Sequence, residues 1–174
     1  MILFSAEYLG PAKYFSEISK LLEGTPHYFI GNKLTNKFFE SKKLSTIREY
    51  DVFKNNFLLK NNIRLIITGT HFDKGLDIKI IKYAKKIGIK VACFIDHWTW
   101  TQSRIIFINK FAADLIFVLN AHHKKLFLQL GYPNEKIHIL GNIIFEDYLK
   151  YKKKKNIKLN QKKKYYLSLR KKNI

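Results

Sequence analysis

Four apolar runs punctuate the chain between Leu65 and Asn142: LIIT from Leu65, VACFI from Val91, LIFVL from Leu115 and IHIL from Ile137. Each stops at small, polar or ionisable residues. Unbroken Val/Ile/Leu/Phe runs mark parallel strands covered on both faces, and strands alternating with helical patterns mark βαβ units. The earlier residues fit the same scheme. Ile2–Phe4 opens as a strand. After the Gly10-Pro11 turn, Phe15, Ile18 and Leu22 recur at helical spacing until Gly24, and His27–Ile30 is a second strand. Residues 33–45, polar and basic around Phe38-Phe39, predict a loop or weak helix. Ile47–Val52 predicts a short strand and Phe53–Leu59 a helix.

The Leu65–Thr68 strand leads into a helix over about 74–87, with Ile80, Ile81, Ala84 and Ile87 on one face. Asp73 is its expected N-cap and Gly88 its expected C-cap residue. Residues 98–110 fit a short helix or a covering loop. Leu115–Leu119 is a strand, followed by a helix from Asn120 through Leu130 that Gly131 stops. Ile137–Leu140 is the last clear strand and Ile144–Tyr151 a helix. The expected fold is α/β: a Rossmann-like open parallel sheet with helices on both faces.

Such sheets bind ligands beyond the carboxyl ends of their strands. The residues placed there are Glu7 and Gly10, then Thr68, Gly69, Thr70, His71 and Asp73. Asp96, His97, Trp98 and Thr99 follow, then Asn120, Gly141 and Asn142.

Composition bounds the rest. A chain of 174 residues with 47% hydrophobic content suits one domain with a core. Its single cysteine, Cys93, excludes a disulfide framework and fits a reducing cytosol. No apolar run reaches the roughly 18 residues of a membrane-crossing helix. No basic leader precedes Met1–Phe4, so the expected location is cytoplasmic.

The net charge is +20, unevenly spread: residues 151–174 carry ten Lys and one Arg with no acid, leaving +9 for the first 150. That tail is either a solvated linker, since runs of like charge stay disordered, or a contact for anionic lipid or nucleic acid. The expected organisation is a domain over 1–150, a basic linker over 151–164, and the beginning of a second domain over 165–174, where Tyr165–Leu169 reads as a strand.

DHWTW, Asp96–Trp100, is the most informative segment. Asp96 is placed to orient the His97 imidazole and His97 to act as a general base. The tryptophans suit stacking on a sugar ring or base. The bland alternative is a capped turn with a neutral packed histidine. In TGTHFD, Gly69 permits close backbone approach, and Thr70 and His71 offer donors near a helix N-terminus. It is neither a P-loop nor a dinucleotide fingerprint, lacking GK[ST] and three spaced glycines. The alternative is a plain strand-to-helix turn. In SAEYLGP, Glu7 is the one carboxylate after the first strand, and simple surface exposure is its alternative. Gly141-Asn142 reads mainly as turn chemistry. His122 and His123 are adjacent, so they face different ways and do not chelate. No Cys pair or spaced His pair supports zinc, and no paired-aromatic RNA signature is present.

The order of these pieces resembles the N-terminal half of GT-B-type glycosyltransferases and the related nucleotide-sugar 2-epimerases of bacterial surface polysaccharide synthesis. The pieces that carry the resemblance are the opening strand with its GP loop, then IITGT–helix–IGIKVACFIDHW, then AADLIFVLNAHHKKLFLQLGYPNEKIHILGN, with Gly131, Tyr132, Pro133, Lys136, Ile137, Gly141 and Asn142 at its end. It covers roughly residues 1–150.

The resemblance implies two Rossmann-like domains around a cleft, the first holding an acceptor and often a catalytic base, the second a nucleotide-sugar. It implies no metal ion and no other cofactor. His97 and Asp96 are then the catalytic candidates. Glu7, Gly10, Thr70, His71, Trp98, Asn120, Gly141 and Asn142 are the substrate-binding ones. The implied partners are a nucleotide-sugar donor, held by a second domain or a partner subunit, and a glycan or lipid-linked acceptor. Peripheral membrane contact through the basic tail is compatible with this, and nucleic acid is not expected. The competing readings are a basic Rossmann-like binding module and a non-functional gene fragment.

Overall fold

The computed structural model describes residues 1–54, 56–70, 75–97 and 113–145. Six strands form one sheet: β1 (Ile2–Ala6), β2 (His27–Gly31), β3 (Leu65–Thr68), β4 (Lys90–Ile95), β5 (Leu115–Val118) and β6 (Ile137–Ile139). Their spatial order is β2-β1-β3-β4-β5-β6, and every pairing is parallel. The three runs expected as buried neighbours are neighbours: Leu65 pairs with Lys90, and Ala92 with Leu115. The helices are α1 (Leu9–Ser19), α2 (Lys33–Ser41), α3 (Glu49–Lys54), α4 (Phe57–Lys60), α5 (Leu76–Lys86) and α6 (Ala121–Gln129).

Strand alternation splits the core into two chemistries. One face is mostly aliphatic. Leu3, Ile30, Ile66, Val91, Cys93, Ile95, Ile116, Val118 and Ile137 pack there with Ile80, Ile81 and Ala84 of α5 and Phe127 of α6. The other face is aromatic. Phe4 lies 5.2 Å from both Phe15 and Phe29, Phe29 lies 4.8 Å from Phe39, and Phe94 meets Tyr14 and Phe15 at 5.0 and 5.6 Å. Helices thus cover both faces, as the unbroken apolar strands require.

Two local expectations are corrected. Ile47–Val52 is not a strand: the isolated bridge to Phe29 is made by the preceding Thr46, and the chain turns into α3 at Glu49. The run LSTI carries strand propensity, and Ser45 to Ile47 reach the β2 edge: the Ser45 carbonyl accepts from the Phe29 N–H and the Ile47 N–H donates to the Phe29 carbonyl, both at 2.9 Å. Phe53–Leu59 is not one helix. Asn56, at φ 50°, sits in the left-handed region and separates α3 from α4. Residues 33–45 form a helix rather than a loop over Lys33–Ser41, because Asn32 caps it, accepting from the N–H groups of Leu34 and Thr35 at 3.0 and 3.1 Å. The expected cap Asp73 lies outside the described residues, as do 146–174, which contain most of the expected last helix, the linker and Tyr165–Leu169.

Asp114 fastens the lower edge of this sheet. Its Oδ2 accepts from the Val91 N–H and the Lys85 ammonium, both at 2.7 Å, joining β4 to the end of α5. Partial burial works to raise its carboxyl, but the hydrogen bonds from Lys85 and Val91 outweigh that and hold it below the ordinary carboxylate range. A lowered folded value means that this stabilisation is present at neutral pH and is lost as the pH falls through the carboxylate range. Asp114→Ala should cost about 1 kcal/mol, since the ion pair itself is partly exposed. Urea melts at pH 7 and pH 3 check this: the gap between wild type and variant should narrow at pH 3.

Candidate functional site

β1 has β2 on one side and β3 on the other, so the strand order reverses between β1 and β3. In open α/β sheets, that reversal point is where a crevice opens beyond the carboxyl ends. The described candidates Glu7, Gly10, Thr70, Asp96, His97, Asn120, Gly141 and Asn142 all follow strands of one parallel sheet and so share its carboxyl edge. His71 and Trp98 lie outside the described residues.

Asp96 is the best-placed of these. Gly10 is in the first turn of α1, and a Cβ there would collide with Asp96 Oδ2. The absent side chain is therefore what admits the carboxylate to the helix N-terminus, where backbone N–H groups and the helix dipole favour an anion. One turn further on, Tyr14 is 7% exposed and packs on Phe94. Its hydroxyl donates to Asn142 Oδ1 at 2.8 Å. Burial pushes the Tyr14 phenol up, the Asp96 charge adds to this, and the bond to Asn142 works against it. The phenol thus stays protonated as a donor. Gly10, Tyr14, Asp96 and Asn142 form one polar cluster joining the ends of β4 and β6 to α1. Tyr14→Phe should cost about 0.5–1.5 kcal/mol, the worth of one hydrogen bond. Thermal melts check it, and an unchanged melting temperature would show that Asn142 needs no side-chain tether.

His97 is exposed beside this cluster, where an imidazole can meet a ligand. Thr70 is buried at the end of β3. Asn120 uses its side chain locally, Oδ1 accepting from the His123 N–H at 2.9 Å as the cap of α6. Gly141 adopts φ 81°, the turn geometry expected of it.

At the reversal point itself, the structure adds residues the sequence reading missed. Asp77, in the first turn of α5, is 1% exposed and accepts from Ser5 Oγ at 2.5 Å and from the Glu7 N–H at 3.4 Å. Burial pushes its carboxyl up to about 7, the Glu7 charge adds, and the bonds from Ser5 and the Glu7 N–H oppose the rise. The signal was present: Asp77, Ile80, Ile81 and Ala84 share one helical face, so an acid stood on a buried stripe. Tyr14 had no such mark, because a tyrosine one residue before Phe15 reads as core. Among the described residues, no three His, Cys, Asp or Glu side chains gather as metal ligands, and no helix is long and apolar enough to cross a membrane.

No protein-family model and no curated protein matches the chain. Solved structures do. The chain is similar to the UDP-GlcNAc 2-epimerase from Methanocaldococcus jannaschii, with a TM-score of 0.56 and 15% identity over 81% of this chain and 45% of that one. It is also similar to the UDP-GlcNAc 2-epimerase from Neisseria meningitidis bound to UDP-GlcNAc, with a TM-score of 0.58 and 12% identity over 94% of this chain and 52% of that one. The chain spans about half the length of these proteins, and at such identities the likeness is one of fold.

Proposed function

We propose that the chain is one Rossmann-like half of an enzyme that acts on a nucleotide-sugar in surface polysaccharide or glycolipid synthesis. The observation that carries this reading is the Gly10–Tyr14–Asp96–Asn142 cluster at the carboxyl edge, in a fold shared with proteins whose names specify UDP-GlcNAc. A carboxylate and an amide, each bearing on Tyr14, suit sugar hydroxyls, which both donate and accept. In this reading the reaction is glycosyl transfer. His97 takes the proton from an acceptor hydroxyl, the oxygen bonds to the anomeric carbon, and the nucleoside diphosphate departs with the electrons of the broken bond. Asp96 orients His97, and Glu7, Thr70 and His71 line the acceptor pocket with Trp98. The nucleotide end is held by a second domain or a partner subunit. The lysine-rich stretch 152–164 gives peripheral contact with an anionic membrane carrying a lipid-linked acceptor.

The test is calorimetric titration of the 174-residue chain with UDP-GlcNAc and with free oligosaccharide, alongside a turnover assay. Weak binding of the oligosaccharide without turnover is expected, with turnover appearing when a separately expressed donor-binding domain is added. Robust turnover by the chain alone would sink the half-enzyme reading. Salt-sensitive binding to single-stranded DNA, with none to sugars, would favour the basic binding module instead.

A further inference from the structure

The Glu7–Asp77 pair at the reversal of strand order is not explained by sugar binding alone. Asp77 lies wholly inside the protein, yet it sits beside a second carboxylate. Its Oδ1 accepts from Ser5 and its Oδ2 from the Glu7 N–H, so it grips the turn that follows β1. Asp77 Oδ2 also lies 3.3 Å from where a Cβ on Gly69 would be, which places it behind the end of β3. The Glu7 side chain in turn reaches Gly75, at the start of α5. Gly75 adopts φ 142°, which side chains rarely do, and a Cβ there would run into the Glu7 carboxylate. Both strand ends are thus shaped around these two acids. Among the described residues, Glu7 Oε2 is buried without a hydrogen-bond partner, and Asn32 Nδ2 donates to the Glu7 carbonyl at 2.7 Å, fixing the turn from the other side.

We propose that Asp77 is a positioning residue for Glu7: it ties the turn after β1 to α5 and so sets the Glu7 carboxylate against the start of that helix. Two carboxylates this close cannot both ionise without repulsion. Other charged and titratable groups bear on the pair from the surrounding elements. Lys79 of α5 interacts with Glu7 and is hydrogen-bonded to Glu49 of α3 at 2.8 Å, and Cys93 of β4 interacts with Asp77. Burial and the Glu7 charge, set against the Ser5 and backbone hydrogen bonds, push the Asp77 carboxyl up to about 7. Ionisation therefore falls in the neutral range. Above it, the turn carries a second buried charge and loosens. The functional arm of this proposal rests on the acceptor-half reading; the structural arm does not.

The structural arm is read by the position-7 backbone amide in nitrogen–proton NMR spectra from pH 5 to 9. In the wild type this amide should shift with a midpoint near 7, because it donates to the titrating group. D77N should abolish the shift, E7Q should lower the midpoint, and S5A should raise it. A flat wild-type amide, or a midpoint indifferent to E7Q and S5A, would overturn the proposal whether or not D77N folds. The functional arm uses a free oligosaccharide as probe, since Glu7 is assigned to the acceptor pocket. Wild-type affinity should fall about tenfold per pH unit above 7, as a requirement for one bound proton dictates. D77N, which mimics the protonated side chain, should hold its affinity to pH 9. A folded D77N that loses affinity at every pH would overturn the positioning role. If no form binds the oligosaccharide at any pH, the acceptor-half reading falls and the amide titration alone decides the role of Asp77.

Discussion

His97→Ala, in the chain supplied with a donor-binding domain, should lower turnover about 10²–10⁴-fold, the usual worth of a lost general base. Its melting temperature should stay within a degree or two, because His97 is exposed and changes at such positions are typically neutral. Asp96→Asn should have an effect in the same direction, with a different signature. Asp96 is half-buried against Gly10 at the start of α1, so the neutral amide keeps the shape and loses the charge proposed to orient the imidazole. The assay is initial rate against pH for both variants. Full activity of His97→Ala would leave the half-enzyme reading standing and move the base to another residue of the edge. Equal activity of Asp96→Asn and wild type would remove Asp96 from the chemistry.

Phe94→Ala should cost about 3–5 kcal/mol, the range for deleting a buried phenylalanine. Phe94 is fully buried in β4, where its ring joins those of Tyr14 and Phe15. No shift elsewhere fills the space, since those rings are themselves held by α1. Domains of this size are stable by about 5–15 kcal/mol, so most of that margin would go. The loss reaches the site as well, because Phe94 seats Tyr14, and Tyr14 holds Asn142. Urea unfolding measures the first effect. Phe117→Ala is the control: Phe117 is on the same face of the neighbouring β5 but only partly buried, and should cost less than half as much. Equal costs would show that the aromatic face is not the tighter half of the core.

The sheet was legible because burial on both faces leaves nothing polar in its strands. Leu65–Thr68 was read to its exact ends, and Val91–Ile95 and Leu115–Leu119 within one residue. Helix stops were legible where a glycine takes a left-handed backbone, as Gly88 and Gly131 do at φ 76° and 83°. The region from 33 to 60 was not, because its helices are short and set by tertiary contacts rather than by periodicity. Asn32 caps α2 while also tying the turn at Glu7, and no local pattern announces that double use.

The site divides the same way. Strand ends placed Glu7, Thr70, Asp96, His97 and Asn142 on one edge, since parallel pairing leaves no choice. What the sequence could not show was which of them meet. The bond from Tyr14 to Asn142 spans 128 residues, and that from Ser5 to Asp77 spans 72. Gly10 reads as a turn residue, yet in the structure its missing side chain is the space that Asp96 occupies.

The central claim is that the carboxyl edge around Asp96 receives the substrate. The most direct test is a map of amide shift changes in the isotopically labelled 174-residue chain on addition of a free oligosaccharide, the acceptor class assigned to this half. The changes should centre on Gly10, Tyr14, Asp96, His97 and Asn142. Changes confined to the opposite edge, at His27, Arg64 and Lys90, would contradict it.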